Sequence, residues 1–215
     1  MKEAYLYDRH GNGETRCRLC YKQCRIAPGE RGFCGVRQNL DGKLFADNYG
    51  LSSFCVRDTI ETEGVFHYGP GCATIQVGTY GCNLHCEFCQ NWRYSQVEHV
   101  DRSALAEYTP ESIVEMCRRM KVDVIAWTFN DPIIWYEFVL DTARLAKAQG
   151  IVSLYKSSHV ISLEALESLC EVVDVFSVSL KSIRPEFYRQ YCKGRLEPVR
   201  EALVYLHNRA DKHVE

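Results

Sequence analysis

The sequence predicts an α/β protein: a partial (β/α) barrel that follows a small cysteine-rich segment. From Ala73 onward, short apolar runs alternate with longer amphipathic ones, a pattern typical of a parallel sheet with helices outside it. Before residue 72, glycines, charged residues and cysteines dominate. We therefore predict a cysteine-rich, metal-binding segment over 1–72 and the α/β unit over 73–215.

The α/β unit opens with a strand over 73–78, where apolar residues alternate and β-branched side chains are frequent. Gly81 then permits a tight turn into the next loop. Thr109 is a suitable N-cap with Pro110 at the first helical position, which predicts a helix to about Met120. The apolar run over 122–127 predicts the second strand.

The remaining elements repeat this alternation. Pro132 opens a helix to Gln149 that Gly150 closes, and Ser162 caps another helix to about Cys170. The other predicted elements are strands over 151–155 and 172–180, helical pieces over 185–210 with breaks near Gly194 and Pro198, and the start of a fifth strand at 213–215.

The length limits the barrel. Residues 73–215 supply four βα units, whereas a closed barrel of eight units needs about 250 residues. We therefore expect a partial sheet.

Composition excludes several classes of partner. The formal net charge is −2, so no strongly basic surface is expected for nucleic acid. We found no signal-peptide pattern and no apolar run of membrane-spanning length, which favours a cytoplasmic protein without a membrane partner. In that reducing compartment, 12 cysteines are better explained as metal ligands than as disulfides.

The most informative motif is the loop after the first strand, which carries Cys82, Cys86 and Cys89 in the spacing C-x3-C-x2-C. Three thiolates can hold three irons of a [4Fe–4S] cluster, whereas four cysteines normally close such a cluster. The fourth iron is then open to a ligand that is not protein. This loop is therefore predicted to bind a reactive [4Fe–4S] cluster.

The ends of the later strands carry polar residues, which is where (β/α) barrels place their reacting groups. Asn130 and Asp131 follow the second strand, and the Asp131 carboxylate could accept hydrogen bonds from a ligand ammonium group. Asp131 could also cap the helix that begins at Pro132, and both roles are compatible. Ser157, Ser179 and Lys181 follow the third and fourth strands and could bind hydroxyls and a carboxylate. We expect His159 to be a solvated loop residue.

A second group contains Cys17, Cys20, Cys24 and Cys34, in a segment with little apolar material. Four thiolates suit a structural Zn²⁺ ion or a closed auxiliary Fe–S cluster, and both alternatives stay open, as does the absence of a metal. The remaining cysteines have no ligand spacing, and we expect small buried hydrophobes at Cys55, Cys72, Cys117, Cys170 and Cys192.

Taken together, several motifs resemble one family, the radical S-adenosylmethionine (SAM) enzymes related to pyruvate formate-lyase activating enzyme. The specific branch is the one called the AmmeMemoRadiSam system radical SAM enzyme. The stretches that carry the resemblance are Cys17-Arg18-Leu19-Cys20, residues 28–37, His67-Tyr68-Gly69-Pro70-Gly71, residues 78–84, and Cys89-Gln90-Asn91-Trp92.

The resemblance implies that the open iron binds SAM, that Phe88 lies near its adenine, and that Asn130 and Asp131 hold its amino group. It also implies reductive cleavage of SAM to a 5′-deoxyadenosyl radical that abstracts hydrogen from a substrate. Because members of this family continue through further strands, the resemblance implies a C-terminally truncated sequence that is missing its last strands. That substrate is a small molecule or a glycine in a partner enzyme, and the electron comes from a donor such as flavodoxin or ferredoxin. The alternative function is a metal-binding or electron-transfer scaffold without SAM turnover.

Overall fold

The computed structural model describes residues 1–209 and 211–215, and its strands and helices follow the predicted alternation. In chain order the strands are β1 Lys2–Glu3, β2 Tyr7–Arg9, β3 Thr15–Cys17, β4 Arg25–Ile26, β5 Arg37–Leu40, β6 Lys43–Ala46, β7 Leu51–Ser52, β8 Phe54–Thr59, β9 Ala73–Gly78, β10 Ala106–Glu107, β11 Val124–Trp127, β12 Val152–Ser157, β13 Val175–Val178 and β14 His213–Val214. The α-helices are α1 Trp92–Ser95, α2 Pro110–Met120, α3 Tyr136–Lys147, α4 Leu163–Cys170, α5 Pro185–Phe187 and α6 Glu197–His207.

A six-stranded sheet in the order β14-β13-β12-β11-β9-β8 forms the centre of the α/β unit. Strands β9 and β11 to β14 are parallel, and the register of β11 places Val124 opposite Thr74 and Trp127 opposite Val77. The predicted α/β class and its strand order along the chain are therefore confirmed. Strand β8, which lies within the predicted segment 1–72, adds to this sheet antiparallel to β9.

Helices α2 and α4 begin at the predicted caps. The side chain of Thr109 accepts a hydrogen bond from the backbone N–H of Ser112 at the start of α2, and Ser162 caps α4 through the N–H of Ala165. The helix predicted from Pro132 begins instead as a 3-10 turn, Pro132–Trp135, before α3. The predicted helical stretch 185–210 divides into α5, a π-helical turn over Tyr188–Cys192, and α6, and residue 210 lies outside the described residues.

The two faces of the sheet are buried against different partners. On one face, Ile125 and Trp127 of β11 join the large core formed with the helices. On the other, Val124 and Ala126 pack with Leu154 and Val175 against Ile60 and Val65, which follow β8. Because side chains alternate along a strand, a strand buried on both faces reads as a continuous apolar run, which is the pattern the sequence showed.

The N-terminal segment consists of two small antiparallel sheets, β1-β6-β5 and β2-β3-β4. A buried ion pair ties it to the α/β unit: the guanidinium of Arg37 donates to the Glu137 carboxylate of α3 at 2.8 Å and to the Ile134 carbonyl at 3.2 Å. Within residues 1–209 and 211–215, none of the helices combines the length and apolar character that a membrane crossing requires.

Candidate functional site

The carboxyl ends of β9, β11, β12 and β13 meet at one edge of the central sheet and surround a cavity. Its empty space is about 940 Å³, counted out to its opening to solvent. Its lining includes eight of the residues that the sequence analysis selected for a cofactor: Cys82, Cys86, Cys89, Asn130, Asp131, Ser157, Ser179 and Lys181.

Backbone contacts from two directions hold the cysteine loop. Gly81 has φ +85°, the left-handed conformation that glycine adopts without strain, and its N–H donates to the Tyr94 carbonyl at 2.8 Å. On the other side, the N–H groups of His85 and Glu87 donate to the carbonyls of Cys192 and Tyr191 at 3.0 and 2.9 Å. The π-helical turn Tyr188–Cys192 thus forms one support of this loop.

Burial disfavours the thiolate forms of Cys82 and Cys86 before a metal binds, because it raises the pKa of each. Burial, followed by the nearby charge of Asp131, raises the pKa of Cys82 to about 12. Burial also raises the pKa of Cys86, with an added contribution from Cys192, whose thiol lies beside it. Because a metal ligand must be a thiolate, binding of iron here releases protons.

Both carboxylate oxygens of Asp131 accept hydrogen bonds from residues at the strand ends. Its Oδ1 accepts from the Ser157 hydroxyl at 2.9 Å and from the Ile133 N–H at 3.2 Å, and its Oδ2 accepts from the backbone N–H of Ser158 at 3.0 Å and from the Ser158 hydroxyl. The bond to Ile133 is the predicted helix cap. The bonds to the two serines join the ends of β11 and β12, so Asp131 positions two elements of the site.

Asn130 is the neighbour with unused hydrogen-bonding capacity. Its side-chain Nδ2 donates to the Gly81 carbonyl at 2.7 Å, which fixes the amide beside the cysteine loop. Its Oδ1 is buried without a hydrogen-bond partner among the described residues. A buried acceptor without a partner is costly, so this atom is suited to a donor supplied by a ligand.

His159 is not the solvated loop residue that we expected. Its side chain is completely buried, contacts the rings of Tyr155 and Phe176, and uses Nδ1 to bond the Ser157 carbonyl at 2.9 Å. Its backbone has φ +55°, so a left-handed turn directs the ring inward. Burial lowers the pKa of His159, since a charged imidazolium is poorly solvated there.

Phe88 lies at the edge of the site and is not part of the cavity lining. Its side chain is 52% exposed and packs on Phe187 with the ring centroids 5.6 Å apart. The predicted contact between Phe88 and an adenine stays a prediction.

The N-terminal cysteines line a separate, smaller cavity. All four, Cys17, Cys20, Cys24 and Cys34, border an empty space of about 380 Å³. Within residues 1–209 and 211–215, no three His, Cys, Asp or Glu side chains converge closely enough to hold a single metal ion. Of the cysteines predicted as small buried hydrophobes, Cys117, Cys170 and Cys192 are buried, and Cys55 and Cys72 are half-buried.

Comparison with known proteins identifies the α/β unit. The family model of the radical SAM superfamily matches residues 77–212, which is most of the chain and includes the cysteine loop and all four polar strand ends. The chain belongs to the radical SAM superfamily.

Two curated proteins of Methanocaldococcus jannaschii are similar to this radical SAM chain. The uncharacterized protein MJ0808 is 36% identical over 94% of the chain and 59% of its own length. The uncharacterized protein MJ0674 is 25% identical over 86% of the chain and 49% of its own length. The chain thus spans between half and three fifths of the length of these relatives.

Two solved structures are similar to this chain at low sequence identity. TYW1 with a bound lysine–pyruvate adduct has a TM-score of 0.41 and 18% identity, covering 61% of this chain and 49% of its own. QueE from Escherichia coli has a TM-score of 0.40 and 10% identity, covering 78% of this chain and 92% of its own.

Radical SAM enzymes use a [4Fe–4S] cluster and SAM, and the residues at the strand ends fit both. Three thiols line one wall of the cavity, which suits three irons of a cluster. The unpartnered Oδ1 of Asn130 lies in the same cavity as Lys181, so one acceptor and one cation are available for the ammonium and carboxylate of an amino acid.

The sequence analysis did not select Glu63, which also lines this cavity. Glu63, which is buried, accepts from the Thr128 hydroxyl at 2.6 Å and pairs with Lys156 at 3.3 Å. It belongs to the 3-10 turn Ile60–Glu63, ahead of the predicted α/β unit. No periodicity marks this turn, so the only available signal was the charge of Glu63 itself.

Proposed function

We propose that this chain binds a [4Fe–4S] cluster through Cys82, Cys86 and Cys89, binds SAM beside it, and performs radical chemistry. The observation that carries the proposal is the single cavity that joins these three thiols to Asn130 and Lys181. When bound and reduced, the cluster and SAM supply a 5′-deoxyadenosyl radical that abstracts hydrogen from a substrate. The cofactors carry this chemistry, and the protein supplies binding, orientation and exclusion of water.

The strand ends have distinct tasks in this proposal. The Oδ1 of Asn130 accepts from the SAM ammonium, and the Lys181 ammonium pairs with the SAM carboxylate. Asp131 favours the ammonium group through its charge, while its hydrogen bonds hold Ser157 and Ser158 in place. Ser157 and Ser179 provide hydroxyls on the remaining wall. No protein acid or base is needed.

The test is formation of 5′-deoxyadenosine after anaerobic reconstitution with iron and sulfide, followed by SAM and dithionite. We expect turnover in the unmodified protein and a loss of at least about 100-fold in Cys86→Ala, because a second exposed iron favours loss or conversion of the cluster. The matched control is Cys72→Ala, which removes a half-buried thiol at the opposite end of β9. Equal product from Cys86→Ala and the control would refute the proposal.

The finer proposal is that the hydrogen comes from a glycine in a partner protein, as in the activating enzymes that the sequence resembles. A partly exposed aromatic pair at the cysteine loop supports a protein substrate: Phe88 of the loop is 52% exposed and packs on Phe187 with the ring centroids 5.6 Å apart.

Deuterium transfer distinguishes the two substrate classes. Cells grown on glycine deuterated at Cα provide a labelled protein fraction and a labelled small-molecule fraction. The glycine proposal predicts deuterium in 5′-deoxyadenosine with the protein fraction only. Deuterium transfer from the small-molecule fraction alone would instead assign a small-molecule substrate.

A further inference from the structure

The sheet face that is covered by the 3-10 turn Ile60–Glu63 becomes polar at the carboxyl ends of its strands. In the register of β12 and β13, Lys156 lies opposite Ser177. Because side chains alternate along a strand, these two residues share a face with Leu154 and Val175, which belong to the same apolar cluster as the turn. Beyond this cluster, Lys156 lines the cavity at the strand ends.

Contacts from three strand ends hold Glu63, the last residue of the turn. The Ser177 hydroxyl donates to the Glu63 carbonyl at 2.7 Å, and the Thr128 hydroxyl donates to Oε2 of the Glu63 carboxylate at 2.6 Å. The Lys156 ammonium lies 3.3 Å from the same Oε2 and donates to the Thr62 carbonyl at 3.3 Å. Glu63 therefore has a defined position at this edge of the sheet, although it precedes the α/β unit in sequence.

One oxygen of this carboxylate has unused capacity. The Glu63 side chain is 3% exposed and lines the cavity, and its Oε1 accepts no hydrogen bond from residues 1–209 or 211–215. A buried carboxylate oxygen without a donor is costly. The Lys156 side chain is 31% exposed, and its ammonium has a third N–H group to donate. This ion pair therefore offers one acceptor and one donor to a molecule in the cavity.

The ion pair is distinct from the residues that we propose for SAM. In the proposed function, Asn130 and Lys181 hold the ammonium and carboxylate of SAM. The ion pair instead bonds to the Thr128 hydroxyl and the Thr62 carbonyl, yet it lines the same cavity. It is therefore available to the second molecule that the reaction requires, the hydrogen donor.

The charges of the ion pair favour an uncharged ligand that has a donor beside an acceptor. Glu63 and Lys156 neutralise each other, so a free ammonium or carboxylate group would bring an unpaired charge into a buried site. The backbone of an extended residue presents its N–H and C=O on the same side, as in a hydrogen-bonded pair of an antiparallel sheet. Such a residue can donate to Glu63 and accept from Lys156.

We propose that Glu63 and Lys156 bind the backbone of the glycine from which hydrogen is taken, with its N–H donating to Oε1 of Glu63 and its carbonyl accepting from the Lys156 ammonium. This inference rests on the proposed function and names the part of the substrate that the chain recognises. Backbone recognition suits glycine, because it has no side chain to bind and its backbone can approach a binding wall closely.

Deuterium transfer tests this pair, with the labelled protein fraction described above as the substrate. Two quantities are measured in each anaerobic reaction. The total 5′-deoxyadenosine measures cofactor binding and SAM cleavage, and the fraction that carries deuterium measures how the substrate is positioned. A radical formed beside a misplaced substrate takes hydrogen from another source, so its product is unlabelled.

Glu63→Gln keeps the size of the side chain. Its amide oxygen can stay with Thr128 and Lys156, which turns its NH2 group toward the substrate N–H, so that two donors meet. We expect the deuterated fraction to fall at least about 10-fold in Glu63→Gln, and also in Lys156→Met, which lacks the donor to the substrate carbonyl. Glu61→Gln is the matched control, because Glu61 belongs to the same turn and binds the Gly71 N–H. It should keep the deuterated fraction of the unmodified protein.

Equal deuterated fractions in Glu63→Gln and Glu61→Gln would overturn the inference and leave the proposed SAM chemistry intact. A lower total with an unchanged deuterated fraction would also overturn it, because the pair would then serve SAM binding or folding. If Glu63→Gln forms no product at all, Lys156→Met decides by the same criteria. Deuterium from the labelled small-molecule fraction alone would assign the pair to a free compound and overturn its role in binding a protein. Absence of 5′-deoxyadenosine from the unmodified protein would refute the proposed function itself, and this inference with it.

Discussion

The cysteines of loop 82–89 lie among polar strand ends, whereas the N-terminal cysteines lie among leucine and isoleucine side chains. The first cavity is the larger, with about 940 against 380 Å³ of space counted out to each opening to solvent. It also contains the amide of Asn130, the carboxylate of Asp131 and the ammonium of Lys181. Cysteine spacing alone thus says little about reactivity, because the neighbouring side chains decide whether a small molecule can share the site.

Breaking the ion pair between the N-terminal segment and the α/β unit should have the largest effect on the free energy of unfolding. Arg37→Met leaves Glu137 buried and unpaired between the N-terminal segment and α3, and breaking a buried pair costs about 3–5 kcal/mol. We expect a decrease of that size in the free energy of unfolding, measured with urea.

The control for this prediction is Arg9→Met, which removes a solvent-screened surface pair with Glu3 and should change the free energy of unfolding little. The variant Arg37→Met/Glu137→Met should recover part of the loss, because it leaves no uncompensated charge. Equal stability of Arg37→Met and Arg9→Met would contradict the structural importance of this link.

The next change acts on the contact between Gly81, at the entry to loop 82–89, and the segment that carries Cys34. Gly81→Ala places a methyl group 2.6 Å from the Cys34 carbonyl at a backbone φ of +85°, and the backbone conformation alone costs about 1–2 kcal/mol for an alanine. We expect reduced iron content at Cys82, Cys86 and Cys89 and a lower melting temperature. Gly150→Ala is the matched control, since Gly150 has φ +75° and an added methyl group there would meet no heavy atom within 4 Å. Similar effects of the two variants would show that backbone strain, and not the contact with Cys34, is responsible.

Asp131 tests whether the polar surroundings bind SAM or only support the strand ends. Both carboxylate oxygens of Asp131 already accept hydrogen bonds from protein groups, so Asp131 acts on the SAM ammonium through its charge. Asp131→Asn keeps the size and removes that charge, and SAM affinity should therefore fall at least about 10-fold, as measured by equilibrium dialysis. Equal SAM affinity in the two proteins would leave Asp131 with only its structural bonds to the helix start and the two serines.

The smallest expected effect concerns the buried imidazole of His159. Burial lowers its pKa in the folded protein, so the unfolded chain binds the additional proton as the pH falls below about 6.5. His159 therefore lowers stability as the pH decreases from about 7.5 to about 5.5, and it has no such effect above that window.

Urea unfolding at the two pH values measures this contribution. His159→Asn suits the left-handed backbone and should make stability less dependent on pH. An unchanged pH dependence in His159→Asn would contradict the buried, neutral histidine.

The sequence was sufficient to predict the strands β9, β11, β12 and β13 and the polar residues at their ends. Each strand is a short apolar run followed by a polar loop, so local pattern and position agree. The inward turn of His159 could not be predicted, because a polar residue after a strand is usually solvated and only the left-handed backbone directs the ring into the core.

Long-range contacts explain what else was missed. Ile60 and Glu63 cover a face of the sheet from outside the α/β unit, and their short 3-10 turn has no apolar period. The approach of Cys34 to Gly81 joins positions far apart in sequence. Cysteine spacing therefore indicated two cysteine groups, and only the folded structure shows that their segments are in backbone contact.

The effect of SAM on the electron paramagnetic resonance spectrum of the reduced protein tests most directly whether the cluster of loop 82–89 has an open iron. We predict that SAM changes the signal of the cluster at Cys82, Cys86 and Cys89 in both the unmodified protein and Cys72→Ala. The Cys82→Ala/Cys86→Ala/Cys89→Ala variant should show no signal that changes with SAM. A SAM-dependent change in that triple variant, or none in the unmodified protein, would contradict the assignment of the open site to loop 82–89.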